Sequence, residues 1–72
     1  MKSELLIHFG ERIRELRKER NWSQETLAEG TVFHRTYIGM IERGERNLSL
    51  LNIQIFAKTF KITLQELFNF YE

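Results

Sequence analysis

Cysteine and proline are both missing from this 72-residue chain, glycine occurs only four times, and positive and negative charges nearly cancel. Without cysteine there is no disulfide, and His8 and His34 alone cannot build a closed zinc site. Without proline no segment is forced to break, which favours an all-helical chain. Eleven Lys and Arg against ten Asp and Glu leave a formal net charge of +1. That total offers no general attraction to nucleic acid, so any such case must rest on where particular arginines stand. No apolar run approaches the roughly 18 residues of a membrane span, and nothing resembles a signal peptide. No glycine-rich phosphate loop or nucleophile–base pair occurs at useful spacing, so catalysis is not expected.

What is present is a globular composition, 42% hydrophobic and 29% charged. It suits one domain over residues 1–72. A chain this short buries only about 60% of its unfolded surface and is marginal alone.

The central stretch runs from Trp22 to Arg46. Ser23 is placed to cap a short helix through Glu29, with Trp22 and Leu27 closing over its start as a hydrophobic staple. A second helix fits from Arg35 to about Arg43, with His34 at its cap and Gly44 just past its end. Phe33 and Ile38 repeat the staple spacing. Two short helices joined by a tight turn describe a helix-turn-helix. At 100° per residue Ile38 and Ile41 face inward, while Arg35, Thr36, Gly39 and Arg43 form a narrow outward face. The DNA major groove admits one helix of that kind and presents guanine acceptors to arginine. Gln24, in a first helical turn, is a candidate donor to phosphate, and Arg46 and Asn47 follow the second helix directly. A solvated glutamine and an ordinary turn are the plain alternatives.

Around this stretch the pattern predicts three more helices. Residues 3–20 carry Leu6, Phe9, Ile13 and Leu16 in one apolar stripe, with Gly10 marking a close approach. Glu11, Arg12, Arg14, Glu15, Lys18 and Glu19 read as a solvated face. Arg17 stands at the edge of the stripe, as Glu42 does beside Ile41, so the two are expected to pair across the first and third helices. Ala28 suits the close crossing of the two helices of the motif. The fourth helix runs from a cap at Ser49 to about Phe60, stapled by Leu48 and Ile53, with Leu50, Ile53, Phe56, Ala57 and Phe60 as its core stripe. The fifth opens on the capping box Thr63-Leu64-Gln65-Glu66, with Ile62 and Leu67 as staple, and leads into Leu67-Phe68-Asn69-Phe70-Tyr71. Leu51, Ile55, Leu64, Phe68 and Phe70 are surplus to one core and suggest a two-fold homodimer interface. Further core in a monomer is the competing reading.

Phe9-Gly10-Glu11-Arg12-Ile13-Arg14-Glu15-Leu16-Arg17, Ser23-Gln24-Glu25-Thr26-Leu27-Ala28 and Ile41-Glu42-Arg43-Gly44 together resemble the Cro/phage-repressor (XRE-like) helix-turn-helix domain. Arg35-Thr36-Tyr37-Ile38 followed by Glu42-Arg43-Gly44-Glu45-Arg46-Asn47 is similar to the controller proteins of type II restriction–modification systems. The resemblance implies an all-α, lambda-repressor-like five-helix bundle that binds double-stranded DNA as a homodimer. Arg35, Thr36 and Arg46 would reach base edges, and Gln24, Tyr37, Arg43 and Asn47 the backbone. It implies an operator with two-fold related half-sites, two dimers on adjacent sites, activation then repression of its own gene, and contact with RNA polymerase. No cofactor, metal, small-molecule ligand or membrane is implied, and the location would be the bacterial cytoplasm, on the nucleoid. The family has glycine in the turn where this chain has Val32, and a β-branched residue with positive φ is an outlier, so either a rebuilt or a strained turn is expected there. Lys61 stands at a similar glycine-like position. An antitoxin or other repressor that mainly holds a protein partner is the alternative reading.

Overall fold

Five side chains set where the helices begin. Ser3, Ser23, His34, Ser49 and Thr63 each accept a hydrogen bond from a first-turn amide, opening α1 (Glu4–Glu19), α2 (Gln24–Glu29), α3 (Arg35–Glu42), α4 (Leu50–Phe60) and α5 (Leu64–Leu67). Such caps contribute about 1 kcal/mol each. The computed structural model describes residues 3–70, so Tyr71 of the expected terminal run lies outside the described residues. Among them every regular element is helical.

Three helices stop by one device. The amides of Trp22, Glu45 and Ile62 reach back to the carbonyls of Arg17, Met40 and Ala57, while Asn21, Gly44 and Lys61 take positive φ of 56, 75 and 60°. This is the Schellman ending, which needs one left-handed residue. Gly44 adopts it without strain; Asn21 and Lys61 carry side chains into it.

Phe9, Ile13 and Leu16 of α1 meet Leu27, Ile38, Ile41, Phe56, Ala57, Phe60 and Leu67 in one core. A Cβ built on Gly10 would lie 2.8 Å from the carbonyl oxygen of Glu42, and closer still to that of Ile41. Glycine at this point therefore lets the end of α3 rest directly on α1. Trp22 stacks on Phe60 at 5.8 Å, and the Arg20 guanidinium lies over both rings while donating to the carbonyls of Leu16 and Phe60.

The fold corrects several expectations. Leu50, assigned to the core stripe, is 73% exposed, because α4 begins beyond the rim of the core. Phe68 is half-buried, with its ring stacked on Phe9 at 5.5 Å, so the core takes part of its surface. Arg12 does not belong to a solvated face: it donates to the carbonyls of Glu66 and Leu67 and so ties α1 to the last helix. At Val32, of the two expected outcomes the rebuilt turn holds, since Val32 does not take positive φ. Instead Thr31 Oγ1 donates to the Ala28 carbonyl and accepts from the Phe33 amide, so a threonine side chain shapes the turn.

Candidate nucleic-acid interface

The α2–α3 pair is braced from behind by one carboxylate. Glu42, at the end of α3, receives Arg17 Nε at 2.7 Å and Arg17 Nη2 at 3.0 Å, and Gln24 Nε2 at 3.1 Å. The remaining nitrogen of the fork, Arg17 Nη1, donates to the Trp22 carbonyl at 2.9 Å. This hydrogen bonding holds the Arg17 guanidinium above its ordinary pKa, although burial works the other way. One acid thus joins α1, the start of α2 and the end of α3.

Gln24 is therefore placed differently from expectation. Its amide is engaged by Glu42 and it is half-buried, so it positions the start of α2 before it can address anything outside. Gly39 is likewise not on the open face. It is buried, and a Cβ there would meet Arg43 Nη1 at 3.2 Å and Gln24 Oε1 at 3.6 Å. The outward side of α3 is thus built across the glycine by its neighbours.

On that side Arg35 and Thr36 are exposed in the first turn of α3, directly after the His34 cap. Arg35 pairs with Glu25 of α2. Arg43 pairs with Glu45 at 3.1 Å, a contact that raises its pKa through hydrogen bonding and charge. Arg46 lies over the ring of half-buried Tyr37 at 5.4 Å, and that ring rests 5.0 Å from Phe33. Three guanidiniums thus gather around α3 and its following loop, each against a partner within the chain. Glu25 and Glu45 offset two of these charges, so the surface gathers guanidinium donors with little net charge.

The Helix-turn-helix family matches residues 13–67. Control protein C.MunI of a Mycoplasma species is 41% identical over 68 residues, 93% of this chain and 92% of that protein. The crystal structure of the restriction–modification controller protein C.AhdI from Aeromonas hydrophila superposes with a TM-score of 0.83 at 49% identity, over 88% of this chain and 96% of that one. This chain belongs to the helix-turn-helix control proteins of restriction–modification systems. Another member of the family, C.Esp1396I, 32% identical with a TM-score of 0.87 over 94% of this chain and 90% of that one, was solved as a tetramer with its natural 35 base-pair operator.

In this control protein the remaining expected site residues divide. Leu51 is 73% exposed, Leu64 is 38% exposed and Ile55 is half-buried. Asn47 lies at the rim of an apolar cavity of about 240 Å³ that Leu5, Leu6, Leu48, Ile53 and Phe68 also line. No described helix is long and apolar enough to cross a membrane. Sequence reasoning missed two residues of the motif, Glu25 and Thr31. Glu25 reads as an ordinary first-turn acid favoured by the helix dipole, and its partner ten residues away is set by the crossing of α2 and α3. Thr31 carried a usable signal, since a hydroxyl two residues before an amide commonly closes a turn.

Proposed function

We propose that this control protein is a sequence-specific DNA-binding regulator of transcription that reads its operator through α3. The exposed first turn of α3 carries the reading: Arg35 and Thr36 stand clear of the core while Glu42, Gln24 and Arg17 fix the helix behind them. Arg35, Thr36 and Arg46 address base edges, with arginine suited to guanine. Tyr37, Arg43 and Asn47 meet the sugar-phosphate backbone, and Gln24 supports them from the start of α2. Phosphate contacts fix register while base contacts discriminate.

The active form is a two-fold dimer joined through Leu51, Ile55, Leu64 and Phe68. Its two copies of α3 enter successive major grooves about 34 Å apart. The operator-bound tetramer of C.Esp1396I supports two such dimers on adjacent sites. Contact with RNA polymerase at first occupancy and occlusion at higher occupancy would turn activation into repression. The role involves no catalysis and belongs in the cytoplasm, at the nucleoid.

The test is binding of wild type and Arg35→Ala to a duplex selected from random sequence. The variant should lose about 1–3 kcal/mol and relax preference at one base position. An Arg35→Ala variant that binds both the selected and the random duplex with wild-type affinity would sink the assignment.

A further inference from the structure

Glu25 is the second residue of α2, and its carboxylate reaches across the motif to Arg35 Nη1. Both side chains lie mostly in solvent, 64% and 61% exposed. A pair so exposed contributes little to folding, but it cancels the charge of the arginine on which operator reading rests. It also engages only Nη1, so the rest of the fork can still address a planar acceptor pair such as the edge of guanine.

We propose that Glu25 is a specificity-determining residue of the DNA contact, an inference that rests on the function proposed above. The carboxylate competes with any phosphate for Arg35 and adds a negative charge beside the DNA. A lone phosphate oxygen offers Arg35 no more than Glu25 already does. A guanine edge offers two acceptors in a fixed plane, which Arg35 can take while still touching Glu25. Glu25 therefore weakens binding to arbitrary sequence more than binding to the operator.

The experiment compares full-length wild type, Glu25→Gln, Arg35→Ala and the double variant by fluorescence anisotropy across a salt series. The probes are a duplex selected from random sequence by the wild type and a scrambled duplex of equal length and composition. Glu25→Gln should bind the scrambled duplex about three- to tenfold more tightly, with a salt slope steeper by about 0.9, the equivalent of one added phosphate contact. Its affinity for the selected duplex should change less than about twofold, so the specificity ratio falls. With Arg35 already replaced, the same substitution should have less than about a twofold effect on either probe, because coupled residues show non-additivity. An unchanged affinity and slope on scrambled DNA, or the same gain with and without Arg35, would overturn the role of Glu25 while leaving α3 as the reader. Wild-type binding by Arg35→Ala on the selected duplex would overturn the reading face and this inference together.

Discussion

Arg17 and Glu42 meet as a two-pronged ion pair across α1 and α3, with their side chains only 11% and 5% exposed. Both oxygens of the acid are used, one of them also by Gln24, so removing the acid leaves a half-buried guanidinium with only the Trp22 carbonyl and releases the start of α2.

Glu42→Ala should therefore destabilise the fold by about 1–3 kcal/mol, the cost of removing the acceptor from hydrogen bonds to a half-buried charged group. Urea unfolding measures it. A paired Arg17→Met and Glu42→Leu replacement should recover most of that loss. Should Glu42→Ala unfold at the wild-type midpoint, the brace is not structural.

Gly10→Ala opposes two effects of known size. Helix propensity favours alanine by about 1 kcal/mol. The added Cβ, however, would press on the backbone carbonyls of Ile41 and Glu42, which cannot rotate away. Overpacking of this kind costs about 1–3 kcal/mol, so the net effect should be a lower unfolding midpoint. A gain in stability would mean that α3 can retreat freely from α1.

Lys61→Gly should act in the opposite direction. Lys61 holds φ 60° and ψ 44° at the end of α4, a conformation costing an L-residue about 1 kcal/mol that glycine avoids. Thermal unfolding should shift upward by about 4–8 °C for each kcal/mol gained in a domain of this size. The same change at Lys58, inside α4, should lower it.

Glu66 supplies a pH dependence. The Thr63 amide and hydroxyl donate to its carboxylate at 3.0 and 3.1 Å, and with the nearby charge of Arg12 they hold its pKa below the ordinary 4.5. A carboxyl group with a depressed folded-state pKa stabilises the fold above its unfolded pKa and loses that contribution as pH falls through the folded value. Stability should thus be full at neutral pH and decline below about 4.5. Glu66→Gln, which keeps a capping acceptor without the charge, should show a shallower decline in acid. Parallel pH profiles for the two proteins would rule out this coupling.

The sequence by itself determined the local features of this protein. Ser23, Ser49 and Thr63 begin helices because a side-chain oxygen satisfies an amide three residues away. Gly44 and Lys61 end them, and the inward faces of α1 and α3 follow from the helical repeat. Gly10 and the Arg17 to Glu42 pairing were also legible, since a lone helical glycine and two charges at stripe edges each demand a partner. The tertiary structure alone decided that Leu50 falls outside the core, that Phe68 folds onto Phe9, and that Arg12 joins α1 to the carbonyls of Glu66 and Leu67. It also decided that Gln24 turns to Glu42 and that Arg35 reaches Glu25. The division has a physical cause. Caps and stops are settled by atoms within one helical turn, whereas long polar side chains choose partners only after the crossing of the helices has set which groups come within hydrogen-bonding reach.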